Sequence, residues 1–233
     1  VQDFLHRDGF FSLGSSYIKS LFRKNEAPQR KIDDYLVHGI DVSYYQGKIN
    51  WKKVKQHKAA FAFIRATQGK NKTDTHFARN WKSARKAGII RGAYHFFTPS
   101  LDATAQADNF IKRVTLESGD LPPVLDVERT EGQSADKIRE GVSIWLEAAE
   151  EEYGLTPILY TNYRFYQRYL EGHFDRYPVW IAHYTKNSPA IAHESGWTFW
   201  QHSETGKVPG ISKNVDMNVF SGSLENLTSL CKP

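Results

Sequence analysis

From residue 38 onwards, short apolar segments typical of β-strands alternate with segments of helical pattern. Five strand–helix units follow one another, with strands predicted at 39–43, 61–67, 89–97, 123–128 and 157–162. Three more strands, with no convincing helix between them, are predicted at 178–184, 198–203 and 215–220. Strands that alternate with helices pair in parallel. We therefore expect a barrel of five βα units and three closing strands, with an open doubly wound sheet as the alternative.

The domain organisation follows from the same pattern. Residues 1–37 precede the first strand and are predicted to be an N-terminal extension or linker, with a short helix near 17–22. Residues 38–233 are predicted to form the single catalytic domain. The first βα turn lacks G-x-G-x-x-G, and no G-x-x-x-x-G-K-[ST] occurs, so nucleotide binding is disfavoured.

Charge and cysteine content limit the function classes. The net charge is +5, which favours an anionic partner, but the basic residues are scattered rather than clustered as in nucleic-acid binders. No apolar run is long enough to span a membrane. The single cysteine, Cys231, allows no intrachain disulfide. The chain begins with Val1, which a removed secretion signal would explain, so we expect a secreted, periplasmic or envelope-associated protein.

The fourth predicted strand ends in two carboxylates separated by one residue, Asp126 and Glu128. Residues i and i+2 of a strand project from the same face, so these carboxylates are expected to lie roughly 7 Å apart along the strand. Paired carboxylates at such spacing are the groups that cleave glycosidic bonds. An isolated D-x-E sequence is more often a strand that runs into an acidic loop. A catalytic interpretation of this pair therefore depends on further acids nearby.

Two further acids lie on predicted strands that become neighbours when the barrel closes. Asp41 is on the first strand and Asp216 is on the eighth. Functional residues of a parallel barrel gather at the carboxyl ends of its strands, so four carboxylates are expected around one cleft. Several carboxylates in one cleft repel each other, and a structural role would require a cation or metal for each. A catalytic role is the simpler interpretation.

Aromatic and amide residues on the predicted strands suggest a site that stacks on sugar rings and binds their hydroxyl groups. The predicted substrate-binding residues are Tyr94, Phe96, Tyr160, Asn162, Trp180, Tyr184, Trp200 and Asn218. Phe96 and Trp180 are equally consistent with the barrel core. No H-E-x-x-H or close histidine pair occurs, so neither a metal site nor a cofactor is expected. Without G-x-S-x-G, acyl transfer has no visible nucleophile.

Seven short segments, taken in order, resemble glycoside hydrolase family 25, the muramidases of bacteria and phages. The segments are Gly39–Gly47, Phe63–Thr67, Gly92–Phe97, Pro123–Glu128, Trp180–Tyr184, Trp200–Gln201 and Val215–Phe220. The resemblance implies an α/β fold, an irregular TIM-like (β/α)5(β)3 barrel. It also implies cleavage of the β-1,4 bond between N-acetylmuramic acid and N-acetylglucosamine, with peptidoglycan glycan strands as the partner. We expect the protein to act as a monomer.

The resemblance also assigns roles to the acids. Glu128 matches the general acid of the family and Asp126 its partner on the strand. Asp126 either attacks the anomeric carbon or orients the substrate's 2-acetamido group for intramolecular attack; both routes retain configuration. Asp41 and Asp216 match two further acids of the cleft. Gln68 departs from the pattern, since many relatives have Glu there.

Three other functions are considered. A chitinase-like hydrolase would carry a longer acidic run, whereas Val124 and Leu125 precede Asp126 here. A non-catalytic wall-binding module would have no need of all four acids. A nucleic-acid binder is suggested only by net charge and aromatic content.

Overall fold

The computed structural model describes residues 30–233, and the predicted helix at 17–22 lies outside them. One mixed sheet forms the centre of this part of the chain. Its strands are β1 Val37–Val42, β2 Phe61–Gln68, β3 Lys72–Thr73, β4 Ile90–Phe96, β5 Val124–Asp126, β6 Ile158–Asn162, β7 Val179–Ala182, β8 Phe199–Gly206 and β9 Val215–Phe220. The strand order is β1-β9-β8-β7-β6-β5-β4-β2-β3, and β1 also pairs with β2. This last pairing closes eight strands into a barrel and leaves the two-residue β3 at its edge.

The predicted α/β barrel is confirmed, and the open doubly wound sheet is wrong because the first and second strands pair along four residues. The pairings from β2 through β4 to β8, and that of β1 with β2, are parallel. The last strand, β9, runs antiparallel to both β8 and β1. A short loop at 207–214 joins β8 to β9, and antiparallel strands need no helical crossover. The start of β9 therefore lies at the barrel end where the parallel strands terminate.

The helices pack around the barrel. They are α1 Trp51–Gln56, α2 Phe77–Lys86, α3 Ala103–Ile111, α4 Ala135–Tyr153, α5 Tyr163–Phe165, which continues into a π-helical turn Tyr166–Leu170, and α6 Leu224–Ser229. Side chains of Asn50, Asp102 and Ser134 accept backbone N–H groups and so begin α1, α3 and α4. Gly154, with φ of 63°, ends α4 in the left-handed conformation. The sequence analysis did not predict α6, whose Leu227 packs with the barrel interior.

The alternation of side chains along each strand divides the apolar residues into two cores. The interior core contains Phe61, Phe63, Trp180 and Phe199, and the rings of Phe63 and Trp180 stack 4.4 Å apart. The outer core lies between the strands and the helices and includes Trp200, which neighbours Phe199 in sequence. Adjacent residues of a strand face opposite sides of the sheet. Of two neighbouring residues, one therefore points into the barrel interior and the other into the outer core.

Two glycines make room for the aromatic side chains inside the barrel. A Cβ atom at Gly39 would lie 2.5 Å from the ring of Phe61, and one at Gly92 would lie 2.5 Å from the ring of Phe63. Both rings are fully buried. Their large volume is accommodated because the neighbouring strands β1 and β4 present no side chain at the positions paired with Phe61 and Phe63.

We predict that Gly39→Ala destabilises the protein, since the added methyl group overlaps the Phe61 ring. Overpacking a core costs about 1–3 kcal/mol, and each kcal/mol lowers the Tm of a chain of this size by about 2–4 °C. Thermal unfolding followed by circular dichroism measures the effect. The double variant Gly39→Ala/Phe61→Leu is the control, and its loss should be smaller than the sum of the two single losses. Additive losses would show that the methyl group does not meet this ring.

Candidate active site

A cleft of about 260 Å³ opens at the barrel end where the parallel strands terminate. It is lined by Asp41, Val42, Ser43, Tyr45, Gln46, Arg65, Tyr94, Phe96, Asp126, Glu128, Tyr160, Trp180, Tyr184, Gln201, Glu204 and Asp216. The four predicted acids are all in this set. Strands distant in the sequence therefore bring their carboxylates to one cleft.

Each acid reaches the cleft from a strand end. Asp41 is near the end of β1, and Asp216 near the start of β9 lies directly opposite it in register. Asp126 ends β5, and Glu128 follows two residues later. Asp41 and Asp126 are only 6% and 5% exposed, whereas Glu128 is partly exposed. Glu128 is thus the more accessible member of its pair.

Asp41 is fixed by two amide donors. Its Oδ2 accepts hydrogen bonds from Gln201 Nε2 and from Asn218 Nδ2, both at 2.8 Å. The carboxyl group of Asp216, which lies opposite Asp41 in register, is close enough for the charge of Asp41 to act on it. Burial raises the pKa of Asp41, while the two amide donors oppose this rise. Burial and the charge of Asp41 raise the pKa of Asp216 to about 9. The pair therefore retains a proton at pH values at which an ordinary carboxyl group is ionised.

A second layer of hydrogen bonds orients those amides. Gln201 Oε1 accepts from the hydroxyl groups of Tyr160, at 3.0 Å, and Tyr184, at 2.8 Å. Asn218 Oδ1 accepts from Trp180 Nε1 at 2.8 Å. Since these donors occupy the amide oxygens, the amide NH2 groups must point towards Asp41. The aromatic walls of the cleft and its acidic centre thus belong to one hydrogen-bond network.

Asp126 and Glu128 form the second carboxylate pair, and they lie close enough for each to shift the pKa of the other. Burial, together with the neighbouring Glu128, raises the pKa of Asp126 well above its usual range. Burial also raises the pKa of Glu128. The Oδ1 atom of Asp126 is buried and has no hydrogen-bond partner among the described residues. The pair therefore retains a proton at pH values above the usual pKa range of carboxyl groups. The Oδ1 atom of Asp126 remains available to accept a hydrogen bond.

None of these acids forms an ion pair in the described part of the chain, although the charges of Arg65 and Arg129 act on Asp126 and Glu128. Within residues 30–233, no lysine, arginine or histidine nitrogen lies within 4.0 Å of the four carboxylates. Arg65 lines the cleft but pairs with Asp74 at 3.1 Å. Among the same residues, no three or more histidine, cysteine, aspartate or glutamate side chains are placed so that they could hold a metal ion. Clustered carboxylates that lack ion-pair partners destabilise a fold. Such unfavourable clusters of groups with shifted pKa values are typical of catalytic sites.

The structure brings five of the eight predicted substrate-binding residues to the cleft: Tyr94, Phe96, Tyr160, Trp180 and Tyr184. Asn162, Trp200 and Asn218 do not line it. Asn162 caps α5 by accepting from Phe165 N. Trp200 faces the outer core and donates to the carbonyl of His183. Asn218 is fully buried beneath the cleft, where it holds Asp41.

The sequence analysis did not predict seven of the cleft residues as site residues: Val42, Ser43, Tyr45, Gln46, Arg65, Gln201 and Glu204. Gln201 was next to the predicted Trp200, and the alternation of β8 decides between them. Phe199 faces the interior, so Gln201 does also and Trp200 does not. A consistent inward and outward assignment of every strand would have selected Gln201 from the sequence. Arg65 lies on the inward side of β2 by the same rule.

Comparison with known proteins identifies the family to which the chain is similar. Residues 40–211 match the model of the family described as glycosyl hydrolases family 25. The Escherichia coli K12 protein YegX, itself uncharacterized, is 44% identical over 198 residues, which cover 83% of this chain and 72% of that protein. Lysozyme M1 of Streptomyces globisporus is 39% identical over 210 residues, covering 83% of this chain and 71% of that protein.

A solved structure shows the same architecture. A family 25 glycosyl hydrolase from Bacillus anthracis superposes with a TM-score of 0.81 at 34% identity, covering 88% of this chain and 97% of that one. Separately, none of the helices within residues 30–233 has both the length and the apolar character that crossing a membrane requires.

The raised pKa of Asp216 predicts a specific dependence of stability on pH. In the unfolded chain this carboxyl group has its usual pKa near 4, whereas in the folded protein the pKa is about 9. Between these values the folded state holds a proton that the unfolded state has released, so the free energy of unfolding falls as pH rises. Asp216→Asn cannot lose this proton. The Tm of the variant relative to wild type should rise from pH 4 to pH 8, by at least about 2–4 °C.

Thermal unfolding at pH 4, 6 and 8 tests this expectation. Asp175→Asn, at an exposed position, is the matched control and should follow the wild-type protein at each pH. If Asp216→Asn and the wild-type protein lose Tm in parallel as pH rises, Asp216 does not carry the proton.

Proposed function

Because the chain belongs to glycosyl hydrolase family 25 and is a peptidoglycan muramidase, we propose that its four clustered carboxylates perform the cleavage. The bond broken is the β-1,4 linkage between N-acetylmuramic acid and N-acetylglucosamine. The observation that carries the proposal is the gathering of four carboxylates in one cleft, two of them buried and none of them in an ion pair within residues 30–233. No structural purpose offsets this cost, whereas glycoside hydrolysis requires both a protonated and an ionised carboxyl group.

Glu128 is the general acid of this proposal. It is more exposed than Asp126, so it can reach the oxygen of the leaving sugar. Burial and the nearby charge of the Asp41–Asp216 pair raise its pKa, which keeps it protonated at a higher pH than an ordinary glutamate. Donation of this proton lets the glycosidic C–O bond break without forming an alkoxide.

Asp126 orients the substrate's 2-acetamido group in this proposal. A nucleophile and a general acid face each other across a glycosidic bond, about 5–5.5 Å apart, whereas Asp126 and Glu128 leave the same strand end two residues apart. With that spacing, Asp126 suits an acceptor for the acetamido N–H. The acetamido oxygen then attacks the anomeric carbon and the leaving oxygen takes the proton of Glu128. Glu128 next removes a proton from the water that opens the cyclic intermediate, and configuration is retained.

The setting of the enzyme is also part of the proposal. We place the protein outside the cytoplasm or in the cell envelope, since its substrate is the wall, and we expect a secreted monomer acting on glycan strands. The net charge of +5 suits an anionic wall. Residues 1–37 are proposed to be an extension that precedes the catalytic barrel.

Replacing the proposed acid tests the proposal directly. Glu128→Gln should lower the release of reducing ends from purified peptidoglycan by at least about 10²-fold, the usual contribution of a general acid, with an unchanged circular dichroism spectrum. Glu204→Gln, at another acid of the same cleft, is the control and should lose at most a few-fold. Mass spectrometry of the new reducing sugar should identify N-acetylmuramic acid. If the wild-type protein binds the wall but releases no new reducing ends, the protein is a binding module and the proposed cleavage is wrong.

The role of Asp126 is tested by trapping. A 2-deoxy-2-fluoro glycoside with a good leaving group forms a stable adduct only with an enzyme nucleophile, so intact-mass measurement should detect no adduct. A thiazoline that mimics the cyclised acetamido group should inhibit competitively, and Asp126→Asn should weaken that inhibition. A covalent adduct mapped to Asp126 by peptide analysis would establish the nucleophilic route instead.

A further inference from the structure

Two adjacent tyrosine rings at the edge of the cleft are unusually exposed. Tyr44 is 41% exposed and Tyr45 is 57% exposed. In the described part of the chain, the large hydrophobic side chains that are exposed are Leu36, Tyr44, Tyr45, Ile144, Tyr184 and Leu224. Half of this set, the three tyrosines, lies at or beside one cleft. Exposed aromatic surface gathered next to a polymer-cleaving centre indicates ligand contact rather than chance.

The rings of Tyr44 and Tyr45 pack against each other and against the side chain of Arg65. Their centroids are 4.2 Å apart, and the guanidinium of Arg65 lies 4.8 Å from one ring and 5.5 Å from the other. Arg65 is itself fixed by Asp74 at 3.1 Å. Because Asp74 neutralises Arg65, the two rings rest on a rigid support with little net charge.

The backbone that carries the rings is equally constrained. Asp74 Oδ2 accepts from Tyr44 N at 2.8 Å, and Gln46 Oε1 accepts from Ser43 N at 2.9 Å. Gln46 Nε2 donates to the Asn214 carbonyl at 3.1 Å. These bonds tie the 3₁₀ turn Tyr44–Gln46 to the loops after β2 and before β9. The rings are therefore presented without the entropy cost that mobile side chains incur on binding.

We propose that Tyr44 and Tyr45 form a stacking platform for a sugar ring of the glycan strand that lies beyond the cleaved bond. Tyr45 lines the cleft and Tyr44 does not, so the platform leads from the acids outward. Two aromatic rings on a nearly neutral support are better suited to contact the apolar face of a pyranose ring than to bind a charged group of the ligand. The inference rests on the proposed function, and it makes the enzyme selective for longer glycan strands.

Binding to an inactive variant tests the platform without requiring catalysis. In the Glu128→Gln background, calorimetry measures the Kd for a disaccharide and for a hexasaccharide prepared from stem-free glycan. Tyr44→Ala and Tyr45→Ala should each raise the ratio of the hexasaccharide Kd to the disaccharide Kd by about 2- to 10-fold, the range of aromatic contact energies. Tyr44→Phe and Tyr45→Phe, which keep the ring, should leave this ratio near that of Glu128→Gln alone.

Leu224→Ala, which removes an exposed apolar side chain on α6, is the matched control and should not change the ratio. An unchanged ratio in both alanine variants would overturn the platform. A loss in the phenylalanine variants as large as in the alanine variants would also overturn it, because hydroxyl groups rather than rings would then bind the sugar. If the wild-type protein releases no reducing ends while the alanine variants still raise the ratio, the proposed cleavage fails and the platform stands.

Discussion

The structure depends on the confinement of four carboxylates in a small cleft where, among residues 30–233, none of them forms an ion pair. Such a group is stable only if protons and neutral hydrogen-bond donors compensate for the lost water. The barrel supplies two amide donors to Asp41 and leaves one proton between Asp41 and Asp216. Asp126 and Glu128 form a second pair with raised pKa values. Much of the surrounding architecture serves to hold these two pairs.

The antiparallel final strand is what completes this arrangement. In a barrel of eight parallel strands, a residue at the start of a strand lies at the end opposite the active site. Because β9 runs against its neighbours, Asp216 near its start faces Asp41 near the end of β1. Replacing the last helical crossover with the short loop at 207–214 thus adds an acid to the cleft. The irregularity of the barrel has a direct consequence for its chemistry.

The same inward-facing positions carry both the packing and the chemistry. Towards the lower part of the barrel they hold Phe61 and Phe199, and towards the cleft they hold Arg65 and Gln201 on the same two strands. Rigid aromatic packing below fixes the strand ends above, and this limits the freedom of the acids. A catalytic group must be held within a fraction of an ångström to act in the transition state. The buried aromatic core therefore supports the site as well as the fold.

The sequence by itself determined the succession of strands and helices, the α/β barrel and the family, because strand alternation, N-cap residues and seven ordered motifs are all local signals. It also placed the four acids at strand ends. Only the tertiary structure decided that Gln201 and not Trp200 faces the cleft, that Asn218 lies beneath it, and that the pKa of Asp216 is raised to about 9. These features depend on strand direction, on facing neighbours and on burial, which arise only when distant segments meet.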